Sequence, residues 1–273
     1  MWLVATPIGA ARDITLRALD ILAGADMLAA EDTRTLRHLM EIHGIALAGR
    51  PLLAVHDHNE AAVAPRILGA LAAGKSVAYA SEAGTPLVSD PGFVLARAAA
   101  AAGHPVHAAP GASAVLAALS VAGLPTDRFL FAGFPPASGG ERRRFLAGLA
   151  QVAATVVLYE SPRRVARLLG ELAADFGADR PAALCRELTK RHEEVIRGTL
   201  ATVSVALEGR EIKGEVVLVI DRAPPRAASP ESIQAALEEA LKSMSVKDAV
   251  SFVAQDLGVT RKLVYRMALD REG

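Results

Sequence analysis

Short runs of aliphatic and β-branched residues alternate along this chain with longer stretches whose apolar side chains recur at helical spacing. The short runs predict strands over 2–5, 27–30, 52–55, 77–80 and 106–108. The longer stretches predict helices over 15–23, 33–43, 61–73, 93–102 and 112–121. Such alternation builds an α/β fold around a largely parallel sheet, because each helix supplies the crossover that parallel neighbours need. Gly24, Gly44, Gly74 and Gly103 each follow a helical stretch, where glycine is expected to end the helix in the left-handed region.

Gly123-Leu124-Pro125-Thr126-Asp127 reads as a hinge between a first unit, 1–122, and a second, 123–222. The second unit predicts strands over 129–132, 155–159, 182–186, 194–198 and 215–220, with helices over 141–151 and 163–175. Residues 223–230, rich in proline and alanine, form a linker by composition. Beyond it, 231–273 reads as short helices beginning at Ser232 and Ser245, with Gly258-Val259-Thr260 before the last. That spacing resembles a helix-turn-helix, and its final helix carries Arg261, Lys262 and Arg266 on or near one face.

A chain of 273 residues has room for two modest domains. With 52 % hydrophobic and 22 % charged residues it belongs among folded rather than disordered proteins. The lone cysteine, Cys185, excludes an internal disulfide and a paired-cysteine zinc site, and its apolar strand-like run makes it inert core. No apolar run reaches the roughly 18 residues of a membrane span. The N-terminus runs into a strand with no basic region before it, so no secretion signal is expected and the cytoplasm is the expected location. With 30 basic against 30 acidic residues, any polyanion must be met by local basic faces.

One motif has to be rejected. Gly69-Ala-Leu-Ala-Ala-Gly74-Lys75-Ser76 matches the phosphate-loop pattern at every position. That loop needs a strand before it and a helix after it, so that helix amides face the phosphates. Here a helix precedes and a strand follows, which would present carbonyls instead. No GxGxxG follows the first strand either, so a dinucleotide fold is unsupported.

In an open parallel sheet, ligands bind beyond the carboxyl ends of the strands. Those ends carry Thr6-Pro7-Ile8-Gly9, Glu31-Asp32-Thr33-Arg34, His56-Asp57-His58-Asn59-Glu60, the run from Ser81 to Gly92, and Pro110-Gly111-Ala112-Ser113. All are small, rigid or polar, as a pocket requires where backbone must approach a ligand closely. Asp13 and Thr15 add helix-cap candidates beside the first turn.

Further ordered blocks are Asp13-Ile14-Thr15-Leu16-Arg17-Ala18-Leu19, Gly123 to Phe129, Tyr159-Glu160-Ser161-Pro162, Arg186-Glu187-Leu188-Thr189-Lys190, His192-Glu193-Glu194, Arg197-Gly198-Thr199-Leu200 and Lys213-Gly214-Glu215-Val216. In these blocks the chain resembles the small-subunit ribosomal RNA methyltransferase I family, cytidine 2′-O-methyltransferases of the tetrapyrrole-methylase superfamily. The likeness runs from Val4 through Ile220, with a matching C-terminal extension. Ala10 departs from the family's usual asparagine, Glu82 from its aspartate and Ala112 from its proline, so individual contacts near them stay open.

The resemblance implies two α/β domains of the tetrapyrrole-methylase type with a cleft between them, plus a small C-terminal helical domain. It implies S-adenosylmethionine in the cleft, touching Pro7, Ile8, Gly9, Gly84, Thr85, Val88, Ser113 and Ala114 from the first domain. From the second it implies Tyr159, Glu160, Gly214 and Glu215. The implied reaction is 2′-O-methylation of a cytidine in the decoding region of 16S rRNA, on naked RNA or the assembled small subunit, by a homodimer with no metal.

A ribose 2′-hydroxyl is a poor nucleophile, so a base helps. Glu31, Asp32, His58 and Glu60 stand at the expected sheet edge, and Glu187 with Lys190 can approach from the second unit. The sequence leaves that choice open, since each also suits an ion pair or a helix cap; His192 reads as a paired surface residue. RNA contact falls to Arg34 with Arg37, to Arg142-Arg143-Arg144, to Arg163-Arg164 with Arg167, and to Lys190-Arg191. Of these, Arg142, Arg143 and Arg144 form the leading cluster. With 4 % aromatics, phosphate and shape contacts should dominate over base stacking. A corrin- or diphthine-type methyltransferase would share the donor pocket but lack the 58–60 and 186–190 blocks. A non-catalytic RNA-binding module would rely on the helical tail.

Overall fold

The computed structural model describes residues 1–224 and 229–269. The chain opens with β1 (Trp2–Val4), a single 3-10 turn over Ala11–Asp13, α1 (Leu16–Gly24), β2 (Met27–Ala30), α2 (Thr33–Ile42) and β3 (Leu52–Ala54). It continues through α3 (Glu60–Ala72), β4 (Val77–Ala80), α4 (Phe93–Ala101), β5 (His107–Ala109) and α5 (Ala114–Ala122). The strands form a five-stranded sheet in the order β3-β2-β4-β1-β5, with every ladder parallel.

Side chains alternate across this sheet. Val4, Leu28 and Ala80 face Leu22 of α1 with Leu36 and Met40 of α2. Met27, Val77 and Tyr79 face Ile67 and Leu71 of α3 and Leu95 of α4. Helices on both faces explain why the strands read as continuous apolar runs. The connection from β1 to β2 runs over one face and that from β4 to β5 over the other. Because β1 and β4 are neighbours, the two connections part between them, which opens a crevice at their carboxyl ends.

Gly44, Gly74 and Gly103 adopt φ of 70°, 76° and 79° after their helices. Gly24 does not: it is the last residue of α1, and Ala25, with φ −68°, ends the helix. The rejected phosphate-loop match lies where α3 runs out and β4 begins, and Ser76 there donates through Oγ to Asp26 at 2.6 Å.

A second five-stranded sheet combines β6 (Phe129–Gly133), α6 (Gly139–Leu149), β7 (Thr155–Glu160), α7 (Val165–Phe176), β8 (Pro181–Arg186), β9 (Glu194–Thr199), α8 (Leu200–Ala206) and β10 (Val216–Ile220). Its order is β6-β7-β10-β8-β9, and only β6 and β7 run parallel. The expected parallel character therefore holds for the first sheet alone. The link between β8 and β9, residues 187–193, is too short for a crossover helix, so these strands pair antiparallel. Helix α8 is absent from the sequence-based expectation, and the β-branched Thr202, Val203 and Val205 give it little helical propensity. A capping box between Thr199 and Thr202 starts it nonetheless.

One face of the second sheet is covered by Leu146, Leu168, Leu172 and Val203 from α6, α7 and α8. The other receives α5 from the first half: Val115, Ala118 and Leu119 pack on Val157, Ala183, Cys185 and Val219. The two sheets thus share a core. Cys185 lies inside it, where burial pushes the thiol up to about 11, in keeping with an inert role.

The tail holds α9 (Pro230–Leu241), α10 (Val246–Asp256) and α11 (Arg261–Leu269) around a separate core of Ile233, Leu237, Val250, Val253 and Val264. Ser245 caps α10 as expected, whereas α9 is capped by Ser229 and not begun at Ser232. Linker residues 225–228 and the last four positions, 270–273, lie outside the described residues. Among the described residues, no helix is long and apolar enough to cross a membrane.

Candidate active site

The crevice beyond β1 and β4 opens into a cleft of about 560 Å³, walled on one side by the first sheet's loops and on the other by the second sheet. A cavity of that size is ordinary for a small organic ligand. The turn after β1 and the loop after β4 are tied by a backbone bridge: Thr6 N–H donates to Gly84 O at 2.9 Å, and Gly84 N–H to Thr6 O at 3.0 Å. Gly84 has φ 85°, and a Cβ there would lie 3.3 Å from Ile8 Cγ2. Only glycine lets these loops close and leave backbone facing the cleft.

The opposite wall is a knot in the link after β8. Glu187 and Thr189 both sit in the left-handed region, at φ 52° and 64°. Glu187 Oε1 accepts from Glu215 N at 3.0 Å and from Lys190 Nζ at 3.0 Å, and Lys190 also reaches Glu215 Oε2 at 3.0 Å. The Glu187 side chain lies over Gly214, where any Cβ would collide with it. Thr189 Oγ1 accepts from Ala10 N at 3.1 Å. This last bond joins the knot to the β1 turn across the cleft floor.

Each residue expected to touch a donor lines this cleft: Pro7, Ile8, Gly9, Gly84, Thr85, Val88, Ser113, Ala114, Tyr159, Glu160, Gly214 and Glu215. Glu160 offers backbone only. Its carboxylate is buried, accepting from Arg142 Nη2 at 3.1 Å, Arg164 Nε at 2.7 Å and Ser161 N at 2.7 Å. Burial raises the Tyr159 hydroxyl to about 12, and its ring stacks edge-on with Phe134, which also lines the cleft.

The residues weighed as bases separate sharply. Glu60 is corrected: it is 5 % exposed and its Oε1 accepts from Leu95 N at 2.6 Å, so it caps α4 from inside the core. Asp32 caps α2 and pairs with Arg34, whose hydrogen bonds hold its carboxyl down at about 2, too acidic for a useful base. Lys190 lines the cleft, but its pKa is raised; burial opposes the charge, and the hydrogen bonds to Glu187 and Glu215 outweigh it. It stays an ammonium. Glu31, half-buried, has its pKa raised by burial first, then by Glu82 and Asp57.

One carboxylate absent from the sequence-based candidates for the base belongs to the cleft wall. Asp90 lines the cleft, with Oδ2 enclosed and without a hydrogen-bond partner among the described residues. Burial, then Glu31, Glu82 and Asp57, push it up to about 7. In sequence it passes for turn chemistry in Ser89-Asp90-Pro91-Gly92, and no local signal distinguishes it.

Of the arginines assigned to RNA, Arg142 is a correction. It is 2 % exposed, bonded through Nε to Glu171 at 2.5 Å and through Nη2 to Glu160, and cannot meet a phosphate. Arg143, Arg144 and Arg163 are exposed. Arg164 is half-exposed while paired with Glu160, and Arg34 is open apart from Asp32. Arg261, Lys262 and Arg266 stand exposed on α11.

A parallel sheet with its ligand cleft at the strand-order switch, facing a mixed second sheet, is the architecture of one class of methyltransferase. The profile described as Tetrapyrrole (Corrin/Porphyrin) Methylases matches residues 1–204, and that of the RsmI C-terminal HTH domain matches residues 227–272. A ribosomal RNA small subunit methyltransferase I from Mesorhizobium japonicum is 44 % identical over 271 residues, covering 99 % of this chain and 91 % of that protein. Its counterpart from Xylella fastidiosa is 46 % identical over 269 residues, covering 96 % of each. The crystal structure of a uroporphyrin-III C-methyltransferase from Thermus thermophilus superposes with a TM-score of 0.57 at 25 % identity, covering 81 % of this chain and 94 % of that one. The chain belongs to the ribosomal RNA small subunit methyltransferase I family, within the tetrapyrrole methylases.

Proposed function

We propose that this protein transfers a methyl group from S-adenosylmethionine to the 2′-oxygen of a cytidine in 16S rRNA of the small ribosomal subunit. The observation that carries the reading is a donor-sized cleft whose walls come from both sheets, in a chain whose full-length relatives are named for small-subunit rRNA methylation. In it, 1–122 and 123–222 act as the two donor-holding units, and 231–273 as an RNA-facing tail.

The residues fit the donor. When bound, S-adenosylmethionine supplies an activated methyl on a cationic sulfonium. The carboxylates of Glu82 and Glu215 line the cleft and favour such a cation, while Lys190 is neutralised between Glu187 and Glu215. The amino end of α5, at Ser113 and Ala114, suits the donor's own carboxylate. Backbone at Gly84, Thr85 and Gly214 is open to an adenine edge. These groups bind and orient; holding the methyl in line with an acceptor is the larger part of the rate.

The acceptor strand would be met by Arg34, Arg143, Arg144, Arg163 and Arg164, and by the basic face of α11. A homodimer is part of the reading and is checked by light scattering on the purified chain. The central test is mass spectrometry of small-subunit rRNA from a deletion strain, together with calorimetry of S-adenosylmethionine binding. One missing cytidine 2′-O-methyl group, restored by the gene, is expected. Absence of donor binding at millimolar concentration would refute the proposal.

A further inference from the structure

Resting on that reading of the cleft, the geometry points to Asp90 as the general base that takes the proton from the methyl-accepting hydroxyl. The loop that carries it is held in an unusual shape. Leu87 and Ser89 lie in the left-handed region at φ 69° and 62°, and Gly92 at 114°. Non-glycine residues in that region are strained, and such strain gathers at working sites. The loop's far end is pinned: Tyr79 donates its hydroxyl to Pro91 O at 3.0 Å, and the Tyr79 ring lies so close under Gly92 that a Cβ would come within 2.8 Å of it. Asp90 is therefore fixed at the cleft wall by its backbone, with one carboxylate oxygen enclosed and unpartnered among the described residues.

A buried carboxylate oxygen without a donor is costly, and structural carboxylates in this chain avoid it. Glu60, Glu160 and Glu187 each have an oxygen bonded to backbone or a cation, and no carboxylate oxygen besides Asp90 Oδ2 is both enclosed and unpartnered among the described residues. The carboxylate as a whole lines the cleft and is only half-buried, so an incoming hydroxyl can donate to it. The groups facing Asp90 are Glu31 after β2, Asp57 after β3, Glu82 and Tyr79 on β4 and its loop, and Tyr159 across the cleft on β7. These neighbours are acids or phenols, so ionised Asp90 has reason to accept a proton.

The step balances without any further reagent. The Asp90 carboxylate, on the cleft wall, takes the hydroxyl proton as an electron pair on the acceptor oxygen forms the new bond to the methyl carbon. The electron pair of the broken sulfur–carbon bond stays on sulfur, which becomes a neutral thioether. The proton then leaves Asp90 for solvent. A base titrating near the working pH is best matched to this task.

The test compares the wild-type chain with Asp90→Asn and Asp90→Glu on undermethylated small ribosomal subunits, following single-turnover methyl transfer from pH 5.5 to 9. The wild-type rate should rise through about pH 7 and level off. D90N should lose on the order of 100-fold or more and the rising limb with it, while D90E keeps the limb at reduced rate. Donor affinity of D90N by calorimetry should stay within about threefold of wild type. A second readout needs no turnover. A carboxyl whose pKa rises on folding stabilises below its unfolded pKa, and that stabilisation is lost as pH rises through the folded value. D90N should therefore gain in Tm relative to wild type between pH 5 and pH 8.5. A rate loss below tenfold, an unchanged limb, or a matching loss of donor affinity overturns the assignment. If wild type binds no donor the methyltransferase reading falls too, whereas an active D90N sinks Asp90 alone.

Discussion

Two charged residues carry the clearest lesson about single positions. Arg142 shares a helical face with Leu146 and Leu149, and Glu60 shares one with Ala64, Ile67 and Leu71. That periodicity is visible in the sequence and marks both as core-facing. A run of three arginines draws attention to charge instead, so Arg142 reads as surface until its partners Glu160 and Glu171 are seen. The pairing predicts unequal effects within one run. Arg142→Ala leaves the buried Glu160 carboxylate with Arg164 and the Ser161 amide and empties the guanidinium's place in the core, and should destabilise the fold by about 3 kcal/mol in urea titration. Arg143→Ala with Arg144→Ala should leave the urea midpoint unchanged and weaken rRNA binding. The slope of log affinity against log salt should fall by about 0.7 to 0.9 for each phosphate that no longer meets an arginine. Equal destabilisation by both variants would contradict this division.

Among elements, the decisive one is the turn after β1. Thr6-Pro7-Ile8-Gly9 is legible as a cleft wall only together with the other small, rigid or polar strand ends, the Gly84 loop among them, whereas Gly214 is reached through the family resemblance. The strand order of the second sheet was not legible, since pairing partners leave no mark on local periodicity. Nor was the knot at 187–190, whose left-handed residues are not glycines. Gly9 shows what that hid. A Cβ there would stand 2.5 Å from Lys190 Cγ and 2.6 Å from Thr189 Oγ1. Gly9→Ala must push the β1 turn off the knot, a strain of roughly 1–3 kcal/mol. Calorimetry should show weaker donor binding. Lys190→Ala combined with Thr189→Ala should recover the urea stability only in part, because Leu188 O also lies 3.0 Å away and Ala10 N loses its acceptor.

At the scale of the whole molecule, α5 already fixes the two sheets to one another through a shared apolar core, so the cleft exists before any ligand arrives. A donor spanning both walls then adds to a preformed contact without having to create one. A ligand that binds only the folded chain stabilises it by about 2.7 kcal/mol at a concentration 100 times its Kd. For a chain of this size each kcal/mol is worth roughly 2–4 °C, so saturating S-adenosylmethionine should raise Tm by roughly 5–10 °C in a single transition. On the proposed reading, affinity for the donor rests mainly on uncharged cleft backbone, on which salt has little hold. That rise should survive an increase from about 50 to about 200 mM salt, while rRNA binding, which the proposal assigns to exposed Arg143, Arg144 and Arg163, should fall steeply over the same range. Differential scanning fluorimetry and filter binding on one preparation separate the two. A Tm shift that fades with salt in step with rRNA affinity would move the donor out of the cleft and onto the charged surface.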